Sequence, residues 1–489
     1  MPPRPRPCAG HGHGHAFAGF RALEEEGLVV RRGGPGRRGM LKAGLAGMAG
    51  LTLPDLLRLR AQGATGATSS AKSVILLWMT GGPSQIDTWD PKPDRPLVNR
   101  GPFGAIQTRI PGVFVCEHLP KQARILDRVT LIRSVDARGS NHEPNTVFQT
   151  GYRSAEPRVN PEAAEYPAIA SVVAKHHGPN RPGVPASVGF WRAPSHIAFA
   201  GALGQQYDPF QGNRGAALPV YDLVGNDTGR IAGGDLFTLP AGLDLERLGS
   251  RRALLDDLDR LRRGLDLDGT MSATDAFHRQ AVDLLVGDRA RRAFDLSLEP
   301  EATRDRYGPH LWCRQALLAR RLVEAGVAFV TIDLSYHTAS GTWDNHGDNI
   351  PPYGGISKGL APLLPLFDHL FTTLVLDLEE RGLAGEVLVI AMGEFGRTPT
   401  MGTQGSSDGR DHWPEVMSMA LAGGGLRHGQ VIGATDRQGG SIAARPVTPG
   451  DLAATIYRHF GLPLDTRYTD MRGRPRDVVE NGRPIAELF

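Results

Sequence analysis

Five short runs of consecutive apolar residues recur in the chain from residue 73 onward. They cover residues 73–79, 129–133, 328–333, 386–392 and 416–421. Runs of this length predict strands that are buried on both faces, as in a parallel sheet. Helical patterns lie between them at 163–175, 314–325 and 357–381. This alternation predicts an α/β fold with a mostly parallel central sheet and helices on both faces.

The segment of about 243–304 departs from that alternation. It is rich in charge, and its leucines recur at helical spacing, as in Leu254, Leu255, Leu258 and Leu261. We predict a helical insertion here, with the leucine stripe packed into a core.

Composition narrows the class of protein. The chain has 489 residues, 40% hydrophobic and 22% charged, which is ordinary globular usage and enough for a substantial core. Its three cysteines exclude a disulfide scaffold and a zinc module held by four thiolates. Metal binding, if present, would use carboxylate and imidazole ligands.

The net charge of +3 is unevenly distributed. Residues 1–70 hold 10 basic and 4 acidic residues, a net charge of +6, so the remainder carries −3. The basicity therefore belongs to the amino-terminal segment, and we expect no nucleic-acid partner.

That segment carries a targeting pattern. Arg37-Arg38-Gly39-Met40-Leu41-Lys42 resembles the twin-arginine export signature, and the weakly apolar stretch 43–53 that follows is too short to span a bilayer. We predict a disordered export-signal region over residues 1–71, the twin-arginine machinery as a partner, and a periplasmic or cell-surface location without a permanent membrane span. The alternative is an ordinary basic, disordered tail.

Polar clusters lie beside all five predicted strands. They occupy residues 80–90, 140–146, 342–349, 394–398 and 409–413. In open α/β sheets, ligands collect outside the carboxyl ends of strands. Mixed carboxylate and imidazole donors suit one or two divalent ions such as Zn²⁺, Mn²⁺, Ca²⁺ or Mg²⁺.

Individual residues of these clusters receive candidate roles. Arg397 suits a phosphate or sulfate oxyanion because its planar fork binds such groups bidentately, and a structural ion pair is its alternative. His142 is a candidate acid or base, and Asn141 and Trp413 are candidates for substrate contact. The candidate metal ligands are Asp87, Asp344, His346, Glu394, Asp411 and His412.

The order of the clusters resembles the alkaline phosphatase/sulfatase superfamily, and most closely its DUF1501 branch, over about residues 72–489. The helix and strand of residues 365–392 precede Gly393-Glu394-Phe395-Gly396, where sulfatases carry a metal motif. Residues 141–151 are similar to the sulfatase nucleophile helix, and residues 409–412 to its late lysine/histidine loop. The resemblance implies a metal-dependent hydrolase of phosphate or sulfate esters, with a small-molecule or polysaccharide ester as substrate.

The chain departs from that pattern at three positions. Phe395 replaces a metal ligand, Thr80 stands where an aspartate is usual, and no cysteine or serine occupies the nucleophile position near His142. The nucleophile would then be a water activated by the ion, or the hydroxyl of Ser140 or Thr146. The alternative class is a non-catalytic protein of the same fold that binds a polymer or partner at the cell surface.

The export hypothesis predicts that replacing Arg37 and Arg38 together by lysine retains the protein in the cytoplasm, because the signature requires the arginine pair. Cell fractionation with immunoblotting measures the effect in a bacterium with a twin-arginine pathway. The same replacement at the upstream pair Arg31-Arg32 is the control. Equal export of both variants would contradict the assignment.

Overall fold

The structure is a computed structural model that describes residues 71–142, 146–157, 160, 162–237, 288–347, 354–403 and 405–489. Residues 1–70 of the predicted export region lie outside the described residues, as does the leucine stripe of the predicted insertion. The final part of that insertion, residues 288–304, lies within them and is largely helical.

The described residues contain eighteen strands. They are β1 Ser73–Trp78, β2 Ala105–Gln107, β3 Phe114–Cys116, β4 Val129–Val135, β5 Ser187–Phe190, β6 Phe210–Gln211, β7 Leu218–Tyr221, β8 Asp227–Ala232, β9 Phe329–Asp333, β10 Val387–Met392, β11 Gly396–Arg397, β12 His412–Trp413, β13 Met417–Gly423, β14 Gln430–Ile432, β15 Ala434–Thr435, β16 Ile442–Ala444, β17 Arg467–Thr469 and β18 Pro475–Asp477.

Nine α-helices lie in the same part of the chain. They are α1 Leu97–Arg100, α2 Pro120–Arg124, α3 Thr146–Thr150, α4 Ile169–His176, α5 Asp288–Phe294, α6 Glu301–Tyr307, α7 Leu311–Ala325, α8 Ala361–Glu380 and α9 Pro449–His459. A π-helical turn, Ile356–Leu360, leads into α8.

Eight strands form the central sheet, in the order β14-β4-β13-β10-β1-β9-β5-β6. All neighbours are parallel except for β13, which runs antiparallel to both β10 and β4. The mostly parallel α/β fold and the five predicted strands are confirmed. The reversed direction of β13 was not predicted, because an apolar run contains no information about strand direction.

Both faces of the sheet are covered by helices. Ile75 and Leu77 of β1 face a core that α7 and α8 complete, whereas Val74 and Leu76 face a second core completed by α4 and α9. Successive side chains of a strand point to opposite faces, so a strand buried on both sides reads as a continuous apolar run.

Two predicted helices differ in detail from the observed ones. The predicted helix 163–175 is interrupted, because Pro167 disfavours helical geometry at Tyr166, which is extended (φ −71°, ψ 125°). α8 begins after the π-helical turn. Residues Ile356–Glu380 form the one helical stretch of the described residues that is long and apolar enough to cross a membrane, and 61% of its most apolar window is buried in the protein.

A buried ion-pair network joins α7 to its neighbours. Arg320 is fully buried and lies 2.6 Å from Glu299, 2.7 Å from Glu324 and 3.0 Å from Asp377 of α8. Removing one partner of a buried pair leaves the other charges desolvated and unpaired.

We therefore expect Arg320→Ala to lower the free energy of unfolding by about 3–5 kcal/mol, measured by urea denaturation. Arg306→Ala is the matched control, since it breaks an ion pair with Glu380 that is largely exposed. That change should cost less than about 1 kcal/mol. If both variants lost the same free energy of unfolding, burial would not be the reason that the Arg320 ion pairs matter for stability.

Candidate metal centre

The carboxyl edge of the central sheet gathers four potential metal ligands from three loops. His142 follows β4, Asp344 and His346 follow β9, and His412 lies in β12, shortly before β13. Because β4, β9 and β10 are parallel and β13 is reversed, these loops meet at one edge. The four ligand atoms all lie within 4.8 Å of one another. We call this set the four-residue cluster.

The cluster presents three imidazole nitrogens and one carboxylate to a common point. Nε2 of His412 lies 2.8 Å from Nε2 of both His142 and His346. One carboxylate oxygen of Asp344, Oδ1, lies 2.9 Å from His346 Nε2 and 3.3 Å from His412 Nε2. Its other oxygen lies 3.4 Å from His142 Nε2. Such a nitrogen and oxygen donor set fits a divalent cation.

The protonation states of Asp344 and His412 suit that role, whereas a proton competes with an ion for His142. Burial raises the pKa of Asp344, but Arg397 and the three histidines lower it further, to well below its usual range, so the carboxylate is ionised. Burial lowers the pKa of His412 to about 4, which leaves its ring neutral at pH 7. Burial also lowers the pKa of His142, yet Asp344 and Glu394 raise it above its ordinary value.

Two predicted ligands, Glu394 and Asp411, lie one layer further out. Glu394 Oε1 accepts hydrogen bonds from His142 Nδ1 at 2.9 Å and from the Gly81 N–H at 2.8 Å. Asp411 lies 3.6 Å from Nδ1 of His346 and accepts the backbone N–H of His412. Each carboxylate faces the ring nitrogen opposite the cluster. A carboxylate that accepts a hydrogen bond there, as Glu394 does, fixes the tautomer and orientation of a metal-binding histidine, whereas Asp411 lies beyond hydrogen-bond distance of His346.

The prediction that Arg397 binds a substrate oxyanion is corrected by its surroundings. The guanidinium is fully buried and donates to Asp344 Oδ1 at 2.5 Å, to the carbonyl of Gly81, to that of Gly82 at 2.9 Å and to that of Arg410 at 3.2 Å. Arg397 therefore forms a structural ion pair with Asp344, which was the alternative prediction for this residue. The pair orients the Asp344 carboxylate.

Asp87, a further predicted ligand, lies outside the cluster. It is buried in an ion pair with Arg410 at 2.7 Å, and the same oxygen accepts the Ser84 hydroxyl at 2.5 Å. Arg410 also donates to the carbonyls of Thr398 and Asn99. The pair thus anchors the loop that carries His412, which explains why the carboxylate is not available to a metal.

Asn141 and Trp413, the predicted substrate contacts, both hold ligand loops. The side-chain oxygen of Asn141 accepts the backbone N–H of His142 at 2.8 Å. The indole of Trp413 donates to the Gly440 carbonyl at 2.6 Å, and its backbone pairs with Gly396. Thr146, a predicted nucleophile, is buried and donates to the Ala155 carbonyl at 2.6 Å, so its hydroxyl is already used.

Sequence reasoning missed a second polar group at this edge, formed by Thr80, Asp333 and His196. Asp333 accepts the Thr80 hydroxyl at 2.5 Å and lies 2.8 Å from His196 Nδ1, while His196 Nε2 lies 2.7 Å from the Ala339 carbonyl. This group ties the beginning of the Asp344 loop to the sheet. A carboxylate that ends an apolar strand, as Asp333 does, was the available signal.

Two glycines allow the loops to approach closely. Gly81 has φ +118°, and a Cβ there would lie 2.3 Å from the backbone nitrogen of Asp344. A Cβ on Gly409 would lie 1.6 Å from the His346 carbonyl oxygen. Larger residues at these positions would displace the loops that carry the cluster.

His196 predicts a pH-dependent component of stability. Burial lowers its pKa, but the hydrogen bond and charge of Asp333 raise it above the ordinary value of 6.5. The stabilisation is therefore fully present below pH 6.5 and is lost as the pH rises through the folded-state pKa. We expect His196→Gln to reduce this decline, measured by urea unfolding across that range, and the raised pKa of His142 to account for a remaining part. His118→Gln, which alters a half-buried histidine elsewhere, should retain the full decline; an undiminished decline in His196→Gln would contradict the assignment.

Three solved structures are similar to this chain at low sequence identity. The crystal structure of Ps i-CgsB is 12% identical, with 80% of this chain and 72% of that chain covered and a TM-score of 0.38. PsFucS1 sulfatase from Pseudoalteromonas sp. is 14% identical, with 83% and 70% covered and a TM-score of 0.37. The phosphonate monoester hydrolase SpPMH from Silicibacter pomeroyi is 12% identical, with 85% and 76% covered and a TM-score of 0.33.

No curated protein matches the chain. The family described as "Protein of unknown function (DUF1501)" matches residues 71–489, which is most of the chain and agrees with the predicted family. The chain therefore belongs to the DUF1501 family.

Proposed function

We propose that the four-residue cluster binds one divalent ion, zinc or manganese, and that the protein hydrolyses phosphate or sulfate esters there. The convergence of three histidine nitrogens and one carboxylate within 4.8 Å carries this proposal. Imidazole nitrogens suit zinc and the carboxylate suits either ion, whereas calcium and magnesium prefer sites made of oxygen ligands. A bound ion of this kind polarises an ester oxygen and makes water nucleophilic near neutral pH.

The residues around the cluster prepare it for that chemistry. Glu394 holds His142 so that Nε2 faces the ion site, and Arg397 holds the Asp344 carboxylate in its ionised form. Both supports are fixed by burial and multiple hydrogen bonds, which reduces the reorganisation needed on binding.

The substrate approaches from the side of His412. The side chain of His412 is 35% exposed, whereas those of His142 and Asp344 are 7% and 4% exposed. An ester oxygen can reach the ion site only where solvent reaches it. We place the substrate, a small-molecule or polysaccharide ester, at this opening, and we propose that the protein acts outside the cytoplasm, as the arginine pair of the amino-terminal segment suggests.

Metal analysis of protein purified without an affinity tag tests the site. We expect about one ion per chain in the wild type and its loss in His346→Ala and His412→Ala. Glu394→Gln should weaken metal affinity by about 10- to 100-fold, because the orienting partner of His142 is altered. His118→Ala, outside the cluster, should retain the ion. Stoichiometric metal in both cluster variants would overturn the assignment.

Hydrolysis of 4-nitrophenyl phosphate, 4-nitrophenyl sulfate and a phosphonate monoester then tests the activity. We expect turnover of at least one ester by the wild type, and its loss together with the metal in His412→Ala. A protein that binds the ion stoichiometrically but hydrolyses none of these esters would instead support the non-catalytic alternative.

A further inference from the structure

We propose that Arg192 binds a second anionic group of the substrate, separate from the ester that meets the four-residue cluster. This inference rests on the proposed function and specifies its substrate class. The substrate would be an ester that carries at least one further sulfate, phosphate or carboxylate group.

Arg192 lies at the same edge of the sheet as the cluster. It follows β5 by two positions, and β5 pairs with β9, which in turn pairs with β1. Its backbone N–H donates to Asp333 at 2.9 Å, and Asp333 accepts the hydroxyl of Thr80. The Thr80 carbonyl accepts the N–H of Trp343, the residue before Asp344. A continuous chain of hydrogen bonds therefore connects Arg192 to the loop that carries Asp344.

The guanidinium of Arg192 is available for a ligand. The residue is exposed, and none of the described residues forms an ion pair or hydrogen bond with its side chain. The two arginines next to the cluster differ, because Arg397 and Arg410 are fully buried and committed to Asp344, Asp87 and backbone carbonyls. A free guanidinium presents a planar pair of donors that matches sulfate, phosphate and carboxylate.

The loop that presents Arg192 is held rigidly. Asn213 accepts the backbone N–H of Trp191 at 3.2 Å and donates to its carbonyl at 2.9 Å. The ring of Trp191 packs edge-on against Phe199, with 5.9 Å between centroids. Further along the loop, His196 is fixed between Asp333 and the Ala339 carbonyl. A preorganised loop reduces the entropic cost of binding a ligand.

The spacing of the strands indicates a second anion rather than the reacting ester. The Asp344 loop meets the sheet edge at the end of β1, where a Cβ on Gly81 would lie 2.3 Å from the Asp344 nitrogen. β5 is two strands away from β1, or about 10 Å at the usual spacing between neighbouring strands. The backbone of Arg192 is therefore offset along the edge from the strand end beside which Asp344 lies. A saccharide with two substituents can place one at each position.

Calorimetric titration of the protein as purified tests the inference by measuring its affinity for sugars. The affinity for a glucose disulfate is compared with that for the matching monosulfate, and the affinity for a glucose bisphosphate with that for the matching monophosphate. We expect the wild type to prefer a disubstituted sugar, and Arg192→Ala to weaken that binding by at least about tenfold while leaving the monosubstituted sugar unaffected. Arg192→Lys should have an intermediate effect. Alanine at position 192 retains the backbone N–H that holds Asp333, so the loop should persist.

Arg124→Ala is the matched control, since this exposed arginine in α2 lies ahead of β4, at the opposite edge of the sheet. The inference would be overturned if the wild type did not prefer a disubstituted sugar. It would also be overturned if Arg192→Ala lost the same affinity for both sugars of a pair. The titration measures binding alone. A preference that depends on Arg192, without hydrolysis of any ester, would therefore support the proposed role of Arg192 and contradict the proposed activity. Hydrolysis without such a preference would contradict only the proposed role of Arg192.

Discussion

The buried ion pair between Asp344 and Arg397 is the interaction on which the rest of the site depends. Both side chains are desolvated, so neither charge is tolerable without the other. Arg397 also binds the carbonyls of Gly81 and Gly82, which follow β1, and that of Arg410, which precedes His412. One guanidinium therefore holds together three loops that meet at the carboxyl edge, and the ionised Asp344 is the charge around which the histidines gather.

The site has two layers that both contain carboxylates but differ in what those carboxylates do. The inner layer supplies three imidazole nitrogens and one carboxylate. The outer layer supplies Glu394 and Asp411 to the far sides of two of those rings, and the Asp87–Arg410 pair to the loop of His412. Hydrogen-bonded partners of this kind restrict the inner side chains and their loops to one geometry. Metal affinity in such a site depends on the outer layer as well as on the ligands.

Strand direction is the second constraint. If β13 ran parallel to β10, its amino end would lie at the opposite edge, and His412 could not meet His142 and His346. The paired segments β11 and β12 reverse the chain between β10 and β13, and they place His412 opposite Arg397. The same reversal brings the carboxyl end of β4 beside the start of β13, so that His142 reaches the cluster from the other side.

The sequence by itself determined the five core strands, the gathering of polar residues at their ends, and the residue types of the site. Apolar runs and their flanking loops are local properties, and they suffice to place His142, Asp344 and His346 at one edge of a parallel sheet. His412 joins them only because β13 is reversed. Only the tertiary structure decided which residues form the inner layer. The carboxylates of Glu394, Asp411 and Asp87 could each bind a metal, as that of Asp344 could, and only their positions exclude them from the cluster. The tertiary structure also decided that Arg397 is a buried partner of Asp344 whereas Arg192 is exposed, since burial and pairing arise from contacts between residues distant in sequence.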